Sequence, residues 1–353
     1  MDDIAITAAR ALFPRGLRQP EDSYRFGADA LLLAAFAAES LASLPGTAPR
    51  AVAELGSGCG AALLGLCLRL PSATTGTTGH RRQQAARPCP SPGTGPSTAA
   101  PAASCGQPPD AGRREKTVPP LRALGLERDA ALCAAARDNA RLLGLDDSCR
   151  FRQGDLADTH FLRHCGENSF HLILANPPYA VPGNGRPSPR PRREAALRGA
   201  GPLPVAPSSA LPGTLPPGAP LANALPPAVP ASDALGVFCR AARRLLRHHG
   251  LFCCIFPAAD LPRLLSILDR ERLGCRRILP LCPRSGEAAK RVLVLARKDA
   301  AARCLLEAPL PLHDGQGWSR EALAFCPWLG AGHEATTARG PQDTRPGTHD
   351  LSF

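Results

Sequence analysis

Aromatic residues and methionine are scarce in this chain. Its 353 residues include two Trp, two Tyr, 11 Phe and one Met, so the apolar content rests on Ala, Leu and Val. No apolar run of ~18 residues and no N-terminal signal-type apolar segment is present, which argues against a spanning helix and against secretion. The 14 cysteines contain no C-x-x-C pair matched to a second pair or to suitably spaced histidines. That spacing excludes the usual zinc and disulfide frameworks. Cys67, Cys133, Cys253 and Cys254 lie in apolar runs and read as small core residues; Cys59 reads as a packing residue rather than a reactive thiol. The expectation is a reducing, cytoplasmic setting with no metal and no membrane partner. No Ser/His/Asp grouping points to nucleophilic hydrolysis. His248-His249, before Gly250, is expected to cap a helix C-terminus.

Charge, Pro and Gly are abundant instead. The formal net charge is +12, with 39 Pro and 33 Gly. A basic surface attracts phosphate backbones, although Arg- and Pro-rich composition also follows from a GC-rich genome. Two stretches lack any apolar period. Residues 74–119 are rich in Pro, Gly, Ser, Thr and Arg, and residues 199–230 are almost free of charge and heavy in Pro and Ala. Both read as insertions. Setting them and the tail aside leaves one domain of roughly 230 residues. The expected organisation is a single domain over residues 1–299, interrupted by the two insertions, and a C-terminal extension over residues 300–353 that loosens from about residue 330.

Four strand-like runs each end in a polar signature. Ala51–Leu55 carries Glu54 and runs into Gly56-Ser57-Gly58-Cys59-Gly60 and then a helical run. Alternate glycines let backbone N–H groups approach a ligand where a helix begins. The spacing is not that of G-x-G-x-x-G, and an acid two residues before the first glycine suits a cation rather than a pyrophosphate. Leu121–Leu126 ends at Glu127, with Asp129 as N-cap of an amphipathic helix; an acid there suits a ribose diol. Cys149–Gln153 leads to Asp155 and Leu156, whose carboxylate and N–H suit an adenine edge. Phe170–Ala175 ends in Asn176-Pro177-Pro178-Tyr179. Prolines cannot extend a ladder, so this tetrapeptide presents polar acceptors beyond the strand end, where ligands of open α/β sheets sit. A planar amine could donate to Asn176 and the Pro177 carbonyl and stack on Tyr179.

In that order, these pieces resemble the class I S-adenosylmethionine-dependent methyltransferases of the Asn-Pro-Pro-Tyr type. More narrowly, they resemble the bacterial tRNA(Val) adenine N6-methyltransferase family. Three further segments carry the narrower resemblance: Gln19-Pro20 with Tyr24–Leu33, then Gly185–Pro189 with Arg192–Ala195, and Ala241–Leu246 with His249–Pro257. The arginine-dense stretch Arg186–Arg193 and the two insertions depart from the family pattern.

The resemblance implies a Rossmann-like, doubly wound, seven-stranded α/β sheet with an antiparallel edge strand. Strands are expected at Ala51–Leu55, Leu121–Leu126, Cys149–Gln153, Phe170–Ala175, Leu251–Phe256, Arg276–Leu281 and Arg291–Ala296. It implies S-adenosyl-L-methionine as cofactor, held by Asp29, Glu54, Gly56, Gly58, Gly60, Glu127, Asp155, Leu156 and Asn176. Asn176, Pro177, Pro178 and Tyr179 would be the catalytic group. Tyr179, Arg186, Arg192 and Arg193 would face a nucleic-acid substrate, a tRNA whose adenine N6 is methylated. The same tetrapeptide serves protein-glutamine N5- and RNA guanine N2-methyltransferases, and a catalytically silent RNA-binding protein would share the fold.

Overall fold

Apolar runs of five or six residues bounded by Gly, Asp and Pro become strands buried on both faces. The computed structural model describes residues 2–21, 23, 25–44, 50–70, 121–178 and 234–332. Tyr24, Tyr179, Arg186, Arg192, Arg193 and both expected insertions lie outside the described residues, as does the chain beyond residue 332.

Strands β1 (Arg50–Leu55), β2 (Leu121–Glu127), β3 (Cys149–Gln153), β4 (Phe170–Ala175), β5 (Leu246–Pro257), β6 (Leu273–Cys282) and β7 (Arg291–Lys298) form one sheet in the order β3-β2-β1-β4-β5-β7-β6. β1 to β5 pair in parallel, and β7 runs antiparallel to both β5 and β6. The order reverses direction at β1 and β4, the topological switch point at which such sheets open a crevice. The antiparallel strand is found at the expected end of the sheet, slotted one place in, between β5 and β6.

Each strand splits its side chains between two cores. On one face, Val52, Ala123, Cys149 and Leu172 pack under α2 (Ala28–Ala42), α3 (Ala61–Arg69) and α4 (Ala130–Leu142). On the other, Ala53, Leu55, Ile173 and Ala175 meet α5 (Thr159–Gly166), α6 (Ala234–Leu245) and α7 (Leu261–Arg270). Asp129 and Asp158 cap α4 and α5 through their carboxylates, each such cap contributing about 1 kcal/mol.

Residues 300–332 belong to the packed body. β8 (Leu305–Leu306) and β9 (Leu310–Pro311) add to β6 in parallel, and Arg277 of β6 pairs with Glu307 and Glu39. The pair β10 (His313–Asp314) and β11 (Gly317–Trp318) leads into α8 (Arg320–Phe325). The ring of Trp328 then meets Phe13, which follows α1 (Asp3–Leu12), edge-on at 4.8 Å between centroids.

The histidine expectation is corrected. α6 stops at Leu245 and the chain passes directly into β5, so His248 and His249 lead a strand instead of closing a helix. The final carbonyls of α6 are satisfied by the Asn168 and Ser169 N–H groups, which donate to the Arg244 and Leu245 oxygens. Those bonds take the last two carbonyls of the helix in place of a histidine cap. His248 Nδ1 lies 3.2 Å from Asp299 Oδ2, and Gly250 sits where an added Cβ would come within 2.9 Å of the Phe170 carbonyl oxygen.

A glycine inside β2 sets a packing constraint. A Cβ at Gly125 would lie 2.2 Å from the Phe151 ring, and a Cβ at Gly60 would lie 2.8 Å from the same ring. The ring is held between the strand and the glycine turn, with no free direction to retreat. Gly125→Ala is therefore expected to lose about 1–3 kcal/mol, read as a Tm lower by roughly 2–10 °C in a thermal melt. An unchanged Tm would show that Phe151 has another rotamer available.

Candidate active site

Asp155, Glu127, the glycine turn and Asn176 lie along one rim, formed by the C-terminal ends of neighbouring parallel strands. Leu55 is in register with Ala175, so Gly56 and Asn176 are the next residues on adjacent strands. Leu55 is also in register with Leu126, and Glu127 with Gln153. The rim thus reads Asp155, Glu127, Gly56, Asn176 in spatial order. Strands about 4.8 Å apart spread these four positions over about 14 Å, the reach of a nucleoside extended by an amino-acid tail. Asn176 and Pro178 are partly exposed and Pro177 is buried.

The turn after β1 is wound by three glycines with positive φ: 65° at Gly56, 53° at Gly58 and 88° at Gly60. Added Cβ atoms at Gly56 and Gly60 would strike Phe238 of α6 and Phe151, but nothing lies within 4 Å of one at Gly58. The outer glycines are locked by rings, and the central one faces open space. Backbone bonds from Ser57 N–H to the Leu126 oxygen (3.0 Å) and from Gly60 N–H to the Ser57 oxygen (2.8 Å) hold the turn. Ser57 Oγ is a buried side-chain oxygen without a hydrogen-bond partner among the described residues, a group left unsatisfied at the start of α3. Unpaired buried polar atoms are unusual in native proteins. An orphaned hydroxyl, a helix N-terminus and an open position over Gly58 are together a good fit for a polar ligand such as the amino-acid moiety of S-adenosylmethionine.

The two glutamates are tied into this turn. Glu54 is buried, and its Oε2 accepts from Leu63 N–H at 2.9 Å. Burial pushes its pKa well above the usual carboxylate value; the Leu63 hydrogen bond opposes that shift, and the nearby Glu127 charge adds to it. Glu127 Oε2 accepts from Gly58 N–H (2.8 Å) and its Oε1 from Asp129 N–H (2.9 Å). Its pKa is raised as well, chiefly by burial, with those two N–H bonds pulling the other way. Asp155 is exposed, and its Oδ1 accepts from Ala157 N–H at 2.8 Å; Leu156 leans on the α5/α6-side core. Asp29, in the first turn of α2, pairs with Arg291 at 3.3 Å. Arg291 is in register with Pro257, so Asp29 sits at the β5/β7 end of the rim and not at the glycine turn. Cys59 is buried and its thiol is pushed up to about 12, mainly by burial, which makes it inert.

Sequence reasoning passed over four residues of this site. Asn139, fully buried on α4, donates to the Cys59 and Arg18 carbonyl oxygens (3.0 Å each) and accepts from Arg18 N–H at 2.7 Å. It clamps the glycine turn to the N-terminal segment. The available signal was an Asn at helical spacing with Ala135 and Ala136, on an otherwise apolar face. Ser57 stood inside the glycine turn without its hydroxyl being singled out, and Phe151 and Phe238 carried no local signal, because their roles arise from contacts between distant segments. Among the described residues, no group of His, Cys, Asp and Glu is arranged to hold a metal ion, and no helix is long and apolar enough to cross a membrane.

Sequence comparisons with known proteins match a central part of the chain. The model of the family described as "RMKL-like, methyltransferase domain" matches residues 107–182, a stretch that includes β2 to β4 and Asn176. A curated relative, the ribosomal RNA large subunit methyltransferase K/L of Syntrophotalea carbinolica, is 41% identical over 68 residues. That alignment covers 19% of this chain and only 9% of the relative. Among solved structures, an O-methyltransferase described as predicted, protein Atu636 from Agrobacterium tumefaciens, is 17% identical with a TM-score of 0.49, over 85% of this chain and 96% of that one. The geranyl diphosphate C-methyltransferase of Streptomyces coelicolor A3(2), bound to S-adenosyl-L-homocysteine, is 13% identical with a TM-score of 0.37, over 74% of this chain and 76% of that one. At these identities and scores, nothing about substrate follows from either structure. The domain match and the sheet order support a SAM-dependent methyltransferase, with S-adenosyl-L-methionine as its cofactor.

Proposed function

We propose that this chain transfers a methyl group from S-adenosylmethionine to an exocyclic amine of an RNA base. The observation that carries the reading is the register of Leu55 with Ala175, which sets the glycine turn and the Asn176-Pro177 acceptors side by side. Under this reading Ser57 Oγ, the Gly58 backbone and Glu54 hold the amino-acid end of the cofactor, Glu127 the ribose and Asp155 the adenine. S-adenosylmethionine supplies an electrophilic methyl on a sulfonium.

The remaining chemistry belongs to the chain. An exocyclic amine is a weak nucleophile because its lone pair is delocalised into the ring. Asn176 Oδ1 and the Pro177 carbonyl oxygen accept its two N–H bonds, favour pyramidalisation and fix the nitrogen in line for displacement. This is mainly an orientation effect. Displacement would form the N–C bond as the donor's C–S bond breaks, and the methylated nitrogen would lose one proton to water, so no strong general base is required. The base must be unstacked or single-stranded to enter.

Two RNA substrates fit. The ordered motif and the lead-in through Leu33 favour adenine N6 of a tRNA. The curated relative's name speaks for large-subunit ribosomal RNA; guanine N2 is the amine that the alternative reading of the tetrapeptide supplies. Transfer of labelled methyl from the cofactor into tRNA, ribosomal RNA and protein distinguishes these two readings and the glutamine alternative. Label in RNA, with the modified nucleoside identified by mass spectrometry, is the expected result; label in protein alone overturns the RNA reading.

A further inference from the structure

The opposite end of the strands carries a donor conflict. At the start of β4, His171 Nδ1 faces the Ala51 N–H at 3.1 Å. The paired β1/β4 register begins only at Val52 and Leu172, so the ring serves the donor left over at the end of the ladder. Accepting at Nδ1 requires neutral imidazole with its proton on Nε2. Burial and the nearby Arg247 and Arg50 charges lower the His171 pKa, which agrees with a neutral ring. Yet Arg247 Nη1 lies 3.0 Å from that same Nε2, and a guanidinium has no acceptor to offer. Two N–H groups therefore point at one another.

No carboxylate among the described residues relieves the contact. Arg247 is exposed and has no carboxylate partner among the described residues. The nearby acids are taken: Glu167 pairs with Arg244, and Asp299 is shared by Arg243, His248 and Arg272. More positive charge surrounds the spot. Arg50 is anchored on the Leu41 and Leu44 carbonyls at the end of α2, and exposed Arg122 of β2 lies in register with Ala51. An anionic oxygen placed between Arg247 and His171 would accept from both and turn a repulsive contact into two charge-assisted bonds.

We infer that Arg247, His171 and Arg122 form a phosphate-binding surface that grips the backbone of the RNA substrate at the N-terminal ends of β2, β4 and β5, remote from the methyl-transfer site. This rests on the RNA reading above. His171 and Asn176 are the second residue of β4 and the residue just after it, so the two sites are separated by about 17 Å of strand. A lone nucleotide cannot reach both, whereas a folded RNA can. The surface would thus select for RNA size and structure, not for the base.

The test is a binding measurement, independent of methyl transfer. Fluorescence anisotropy of a labelled RNA hairpin is recorded from about 50 to 200 mM salt for the full chain, Arg247→Gln and Arg247→Gln/Arg122→Gln, with inorganic phosphate as competitor in a separate arm. Both arginines are exposed, so the fold is not at stake. The double variant is expected to bind about tenfold more weakly, with its log–log salt slope reduced by roughly one to two. Cofactor affinity should be unchanged. Equal RNA affinity and slope in the double variant overturn the inference. So does displacement of phosphate alone, because that would assign the site to a small anion. If the hairpin responds as expected but RNA is never methylated, the surface stands and the catalytic reading falls.

Discussion

Asn176→Ala is expected to lower kcat by about 10²–10³-fold, the range seen when one preorganised polar group is removed from a reacting centre, while leaving cofactor affinity within about twofold. The separation of effects follows from position. Asn176 comes one residue after the end of β4, facing the glycine turn across one strand spacing, and the backbone bonds that hold that turn join Ser57 to Leu126 and Gly60 to Ser57. Ser57, Gly58, Glu54 and Glu127 remain in place in the variant. What is lost is one of the two acceptors that orient the amine, and with it the alignment of the nitrogen lone pair. Calorimetry with S-adenosyl-homocysteine reads cofactor affinity and foldedness together, and single-turnover methyl transfer reads the chemical step. A variant that loses cofactor binding in parallel with turnover would show that Asn176 braces the cofactor pocket, and the assignment of Asn176 to the amine would be withdrawn.

Much of this site was legible in the chain because the signals are local. Cys149–Gln153 and Phe170–Ala175 are strands with the expected bounds, and a Gly-rich turn, an acid or an Asn-Pro pair at a strand end is visible without knowing what lies next to it. The rest depends on which segments meet. Phe238 is a helix residue whose importance comes from leaning on Gly56, more than 180 residues earlier in the chain. His248 and His249 look like a basic helix end until the Asn168 and Ser169 amides are seen to take the α6 carbonyls. Residues 300–332 show little periodicity because they are held by short additions to β6 and by single anchors such as Cys326, Leu329 and Trp328, not by a repeating face. The donor conflict at His171 exists only once β1, β4 and the start of β5 are brought together.

Glu54→Gln is expected to move two observables in opposite directions. In the cofactor-free protein Glu54 is buried and its pKa is raised well above the usual value, so the folded state holds the proton more tightly than the unfolded chain does. The stability this group contributes is complete below the unfolded pKa of about 4.3 and is lost as pH rises through the raised folded value. Glutamine mimics the protonated acid and keeps an oxygen for Leu63 N–H. The variant should therefore melt higher than the parent at pH 8 and together with it at pH 4. Cofactor affinity should do the reverse. A cationic ammonium beside the glycine turn favours the carboxylate form, and replacing a charge-assisted bond by a neutral one costs about 1.5–3 kcal/mol, or roughly 10–100-fold in Kd. The parent's affinity should also strengthen with pH across the window in which Glu54 ionises, and the variant's should not. Calorimetric titrations at pH 6 and 8, with thermal melts of the cofactor-free forms, measure both. An unchanged Kd would reduce Glu54 to an acceptor for the first turn of α3 and leave the ammonium to Ser57 and the backbone of the turn.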